Sequence, residues 1–443
     1  MLKLKAILHV VKYRIRSIID TTFEPKSEMG ASRVNVAASN YTTGIINGII
    51  GGNFLTGLML LLCADDMVMG TITMIGFIGN TLQILSPVIL ERFGSRKKIL
   101  IIGKGISYLL NIVVISSLSL ADINYQFRLN LIIIVILLGS VNNAIISPGL
   151  SVWHIKSIPD NNRVQYFSFF SITNGILQYV IVLGFSGLVD TFKENGNEMK
   201  GLLLLRIFAL LLAALDIYFL TKIKEYPNKR NRTSISLKQI LINPFKQKKY
   251  LITVFIVCLW SFPANIPGPY FTIYMLKSLE VKYSYLNLIN MLNIPLLILF
   301  TPLWSRRIRK TTWFKALYFS MGLYLLHYLG LTMVVKETLY YIYPLSMIFA
   351  FICAPGINIV FSNAPYINLP ESDQTNYIGF YAAMSNLAAF AGAFVGKKFI
   401  ELTEGKFIRI LNIEMQNKQY ILIFTAILMA LSAYLIKRLQ RIK

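Results

Sequence analysis

The sequence predicts an all-α membrane protein with twelve transmembrane helices in two pseudo-symmetric six-helix bundles. Three observations carry this prediction. First, the 443 residues are 55% hydrophobic and only 14% charged, with mean hydropathy +0.58, whereas a soluble chain carries about a quarter charged residues. Second, apolar stretches of about 20 residues, enough to cross a bilayer as helix, recur along the whole length. Third, one fragment occurs twice. Pro159 to Phe170 (PDNNRVQYFSFF) reappears as Pro370 to Tyr381 (PESDQTNYIGFY), an offset of 211 residues. A second pair, Ser86-Pro87 and Thr301-Pro302, each followed by a basic run, is offset by 215 residues. Both offsets are close to half the chain, so one membrane unit is used twice.

The spans are expected at about 36–62, 68–90, 98–119, 128–152, 164–188 and 201–222 in the first half. The second half has them at about 250–276, 284–304, 312–333, 338–361, 377–399 and 419–437. Their apolar runs are continuous, and alternation with a period of two is absent, so they are helices rather than barrel strands. Residues 1–33 form a basic extension. There Lys3, Lys5, Lys12, Arg14 and Arg16 interleave with Leu4, Ile7, Leu8, Val11, Ile15 and Ile18. This spacing suggests an amphipathic helix on the inner leaflet, and its apolar run is too short for a signal-peptide core. Bundles at 34–222 and 250–437 are joined by a basic linker at 223–249, and 438–443 form a tail. Within the linker, Ser234 to Lys249 has the spacing of a short surface helix. Prolines 263, 267 and 269 in the seventh span and Pro355 in the tenth predict broken or bent helices.

Net charge is +24, but its placement argues against nucleic acid. Of the 44 Lys and Arg, 30 lie in the termini and the loops of one side and eleven on the other side, while Lys104, Arg206 and Lys315 fall inside helices. The positive-inside rule makes both termini cytoplasmic, and the expected location is a bacterial cytoplasmic membrane. Cys63, Cys258 and Cys353 are scattered in or beside spans, with neither disulfide nor metal spacing. No cofactor motif is found.

After the second span the chain reads Pro87-Val88-Ile89-Leu90-Glu91-Arg92-Phe93-Gly94-Ser95-Arg96-Lys97-Lys98. This resembles the loop Gly-x-x-x-Asp-Arg-x-Gly-Arg-Arg/Lys of the major facilitator superfamily. Glu91 takes the acidic place, Arg92, Gly94 and Arg96 match, and Pro87 replaces the first Gly. The counterpart Arg306 to Lys310 lacks both acid and Gly. Two six-helix halves on a basic linker are similar to that family over about 35–437, which implies the major facilitator fold and transport by alternating access. The resemblance implies gating by Glu91, Arg92, Gly94 and Arg96, with Gly94 allowing a sharp turn and Glu91 meeting a basic side chain or helix end in one state. Arg163, at the repeated fragment, adds a further gating charge, where the second copy has uncharged Gln374.

A transport site is expected near mid-membrane from the few polar groups there. Candidates are Asn40, Tyr41 and Asn47 in the first span, Asn80 and Gln83 in the second, and Asn142 and Asn143 in the fourth. Asn174 and Gln178 in the fifth, Trp260 and Asn265 in the seventh, Asn290 in the eighth, Asn358 in the tenth and Asn386 in the eleventh complete the set. Each has an alternative role as a helix-packing bond. The cavity-lining spans have no interior Asp or Glu, which disfavours a proton antiporter for cationic drugs. Arg206 and Asp216 are the intramembrane charges of most interest. Arg206 either binds an anion or pairs across helices. His327 reads as a packing histidine.

The leading reading is therefore a monomeric secondary transporter for a small neutral, anionic or amphiphilic solute, with lipids and a coupling ion as its other partners. Two alternatives are a flippase for a lipid or lipid precursor on the same fold and a polytopic membrane enzyme. No His/Asp/Glu cluster or nucleophile motif supports the enzyme.

Overall fold

The computed structural model describes residues 23–24, 27–90, 92–159, 163–225, 242–370, 374–410 and 413–441. The first half contains α1 (Glu28–Leu61), α2 (Asp66–Leu85), α3 (Lys97–Leu120), α4 (Tyr125–Ile155), α5 (Arg163–Glu194) and α6 (Glu198–Lys222). The second contains α7 (Lys248–Ala264 and, after a break, Tyr270–Ile273), α8 (Tyr283–Lys310), α9 (Trp313–Thr332), α10 (Leu339–Tyr366), α11 (Gln374–Leu402) and α12 (Asn417–Arg441). Ten of these are long and apolar enough to cross a membrane; the other two are α9 and α7, which comes in pieces. Asp216 sits deep in α6 and Arg163 opens α5. The extension at 1–22 and the linker at 226–241 lie outside the described residues; the described end of the expected surface helix, Ser234 to Lys249, is a single 3-10 turn at Asn243–Lys246 followed by the start of the next helix at Lys248.

Local chemistry sets the helix ends. α1 starts at Glu28, well before the apolar run, because the Ser27 hydroxyl accepts the Gly30 N–H at 2.9 Å and caps the helix. Asp65 caps α2 by accepting the Val68 N–H at 2.7 Å, and Thr312 caps α9 through the Lys315 N–H. α5 and α11 open at Arg163 and Gln374, equivalent positions of the duplicated fragment.

α7 is broken, as its prolines predict. Its first piece, Lys248–Ala264, stops before Asn265 to Pro269, and Tyr270–Ile273 then runs into a π turn at Tyr274–Ser278. α10 is not broken, running from Leu339 to Asn363 through Pro344 and Pro355. Its Ile352 carbonyl, in the turn before Pro355, accepts the Trp304 indole N–H at 2.8 Å, which compensates the disturbed ladder there. Three irregularities had no proline signal within them. α1 breaks at Gly51, with Gly52 at φ +52. α3 carries a π segment at Leu109–Val114. α8 is interrupted at Leu292, between Tyr283–Met291 and Asn293–Lys310; Pro295 follows and withholds one N–H. A small hairpin, β1 (Ile408–Ile410) and β2 (Ile413–Met415), connects α11 to α12.

In the first half α1 packs on α6 and α5, and α4 on α2 and α3; in the second α9 packs on α12 and α10, and the first piece of α7 on α11. Ile46, Leu58, Leu205 and Ala209 are buried, as are Leu317, Met321, Val360 and Ile421. Ile207, Leu211, Leu299 and Ile427 point outward, the arrangement a lipid surround favours. Across the halves α2 lies on α11 and α5 on α8.

Candidate functional site

Between α1, α3, α4 and α6 lies a cavity of about 540 Å³. Thr43, Asn47 and Gly51 come from α1, and Lys104, Ser107, Tyr108 and Asn111 from α3. α4 adds Ser140, Asn143 and Ser147, and α6 adds Arg206. The irregular backbone shapes this site. Gly51 breaks α1 at the cavity wall. The π segment of α3 widens its ladder, and the carbonyl of Asn111 within it accepts Arg206 Nη1 at 2.8 Å. Arg206 is only 4% exposed.

Asp216 stands behind this wall, fully buried. Its Oδ1 accepts the hydroxyls of Ser39 and Thr42, and its Oδ2 those of Tyr108 and Thr43. Four hydroxyl donors thus occupy the acceptor sites of both carboxyl oxygens. Arg206 and Asp216 therefore do not pair with each other: ten residues apart on α6, they lie at different depths and take different partners. Lys104 Nζ sits 5.3 Å from the centre of the Tyr108 ring.

Asn47 and Asn143 thus share one cavity. Asn142, also a cavity candidate, instead ties α4 to α3, donating to the Gly103 carbonyl and Ser107 Oγ at 2.7 Å each. Asn174 and Gln178 pack on Gly44 and Gly48 of α1, where the absent Cβ admits them. Tyr41 bonds Thr173 at 2.6 Å and packs on Phe170. Asn386 bonds its own helix at Ala382, and Trp260 packs edge-on to Tyr324. Asn40, Asn80, Gln83, Asn290 and Asn358 line neither this cavity nor the next.

A second cavity, about 410 Å³, lies between the halves at the break of α7. Asn53, Thr56 and Thr73 face Asn265, Gly268, Thr272 and His327 there. His327 contacts the Ser346 carbonyl through Nδ1 at 2.9 Å, a packing role.

The polar bonds that join the halves cluster on the face away from the chain ends. Asp190 Oδ1 and Oδ2 accept the backbone N–H groups of Tyr283 and Ser284, each at 2.8 Å. Glu198 accepts the Tyr283 hydroxyl, and Lys282 pairs with Glu194 at 2.6 Å. Asn287 bridges Asn53 and Ser186, Lys418 pairs with Asp66, and Lys397 donates to Thr71. Sequence reasoning missed this set. Its signal was an acid about one turn before a helix end, facing the start of another span.

On the opposite face, Glu91 lies outside the described residues. Arg92 and Gly94 are exposed; Gly94 has no positive φ, and a Cβ there meets open space, so no turn requires glycine. Among the described residues, the acid that engages this loop is Glu225. It accepts the N–H groups of Arg96 and Lys97 and the hydroxyl of Ser95. Desolvation pushes its carboxyl up, but these three bonds and the Lys97 charge together hold it below its ordinary value. Lys97 Nζ meanwhile caps α6 at the Thr221 and Ile223 carbonyls. Arg163 is half-buried in the first turn of α5. The basic run of the second half, by contrast, forms the last turns of α8, where Arg307 lies 3.9 Å over Phe319.

The sequence model of the Major Facilitator Superfamily matches residues 36–393. The chain belongs to this superfamily. Its fold is shared with a variant of the nucleoside transporter NupG, at 15% identity and TM-score 0.70 over 92% of this chain and 99% of that one. The xylose transporter XylE from E. coli, in a partially occluded inward-open conformation, aligns at 12% identity and TM-score 0.65 over 93% and 99%. A bacterial homologue of the iron transporter ferroportin aligns at 12% identity and TM-score 0.58 over 94% and 100%. No curated protein matches the sequence. This facilitator-superfamily chain is accordingly a multi-pass membrane transporter, and the family points away from an enzyme.

Proposed function

We propose that the chain is a secondary transporter that moves a small neutral or anionic polar solute across the bacterial cytoplasmic membrane by alternating access. The carrying observation is the first-half cavity. It is polar, built from hydroxyls, amides and two cations, and has no carboxylate in its lining. At about 540 Å³ it suits a solute of sugar or nucleoside size rather than a diacyl lipid. Similarity to transporters of nucleosides and xylose agrees with that size. With the termini cytoplasmic, as the distribution of Lys and Arg indicates, the bonded face is the outer one, and the described conformation is closed outside. Opening of the inner face is gated by the loop at Arg92 to Lys97, with Arg163 nearby and Glu225 as its acid.

Counterflow into proteoliposomes, with labelled nucleosides, pentoses and organic anions tested with and without a proton gradient, checks the reading. Saturable flux of at least one solute class supports it. Flux of none, together with movement of a labelled phospholipid, overturns it in favour of a flippase.

A further inference from the structure

The first-half cavity holds an unusual charge. Arg206 is 4% exposed and lines the cavity, yet its one protein bond is Nη1 to the Asn111 carbonyl. A guanidinium has five N–H donors in a planar fork. Among the described residues no carboxylate meets this one. An unpaired buried cation is costly, and a protein keeps one where something arrives to pair with it.

The neighbouring charge is already matched. Lys104 sits over the Tyr108 ring, and the Tyr108 hydroxyl donates to Asp216, so one tyrosine touches both charges. Asp216 is in turn fixed by Ser39 and Thr42. Two cations and one carboxylate leave the site one positive charge in excess. Arg206 reaches Asn111, seven residues beyond Lys104 on α3 and so about 10 Å further along the axis. The excess charge therefore lies at the Arg206 end, apart from the matched pair.

We propose that this cavity takes an organic solute carrying a single negative charge, its carboxylate or phosphodiester group seated on the free edge of the Arg206 guanidinium. Bidentate pairing there uses the fork that the protein leaves open. The remaining hydroxyl and amide lining of the cavity, Asn47 and Asn143 included, holds the uncharged body. This inference rests on the transport reading and narrows its substrate class.

Three succinate derivatives of nearly equal shape test it: monomethyl succinate, succinate and dimethyl succinate, which carry one, two and no charges near neutral pH. Thermal unfolding of the full chain in detergent is followed at constant ionic strength with each. Monomethyl succinate raises the midpoint most. Arg206→Gln weakens its apparent affinity about tenfold or more, and Arg206→Lys restores part of it. Without probe, Arg206→Gln unfolds no earlier than wild type, because the lost bond is offset by removal of a lone buried charge. Equal stabilisation by dimethyl succinate, or an unchanged response in Arg206→Gln, overturns the proposal. A larger effect of succinate overturns the single-charge assignment. If the probe result fails while neutral solutes still show counterflow, the inference falls and the transporter reading stands. If Arg206→Gln does not fold, the Arg206→Lys titration decides by the same criterion.

Discussion

Asp190 is the residue whose loss should move the two halves most. It is 5% exposed, and each carboxylate oxygen accepts one backbone N–H at the start of α8. Those donors are the otherwise unpaired first amides of a helix, where a negative charge also meets the favourable end of the helix dipole. Bonds to charged groups are worth about 1.5–3 kcal/mol each. Taking the low end for two bonds gives about 3 kcal/mol toward the state in which this face is closed, a population factor of about 150. Asp190→Ala removes both bonds, while Asp190→Asn keeps one neutral acceptor and should cost about half. The assay is a distance measurement between spin labels at Asp122 and Glu337, on the loops of this face in opposite halves, with Cys63, Cys258 and Cys353 replaced by Ala. Wild type should show one short-distance population. Asp190→Ala should add a longer one, and Asp190→Asn a smaller share of it. Identical distributions in all three, with thermal unfolding intact, would refute the assignment of Asp190 as the clamp.

Asp216→Ala strands the hydroxyls of Ser39, Thr42 and Tyr108 in the bundle and should cost about 3 kcal/mol, read as an earlier unfolding midpoint in detergent. Glu225 has its folded pKa below the ordinary 4.5. The stability it adds is full above that value and fades as pH falls through the lowered one. Amide exchange at Arg96 and Lys97 should therefore quicken in acid for wild type, and Glu225→Gln should be fast at all pH. Gly396→Ala places a Cβ 2.0 Å from the Ile266 carbonyl oxygen, a backbone atom, so it should destabilise the α7 break by about 1–3 kcal/mol and slow counterflow. Gly94→Ala meets open space and should leave both unfolding midpoint and flux unchanged.

The fold was readable because hydropathy acts over twenty residues at a time. The doubled fragment was equally direct, and Arg163 and Gln374 open their helices in the same register. The proline-rich stretch after Ala264 announced its own break. Local backbone choices were less visible. Gly51 is one of several glycines in α1, most of which sit within regular helix, and nothing in Leu109 to Val114 marks a π segment. Polar residues were harder still, since an Asn at a helix surface reads the same whether it faces water or a neighbour. Asn142 and Asn143 are adjacent, yet one ties two helices and the other lines the cavity. Glu225 escaped notice because two of its three bonds come from backbone amides, which carry no sequence signature.

The irregular turn of α8 at Leu292 divides that span into two segments with different neighbours. The first, Tyr283–Met291, is fastened to α5 of the opposite half through Asp190 and Ser186, while the second, Asn293–Lys310, packs on α10 of its own half. Those nine residues are therefore a hook by which the second half holds the first, and the two halves can part on this face only where the hook lets go.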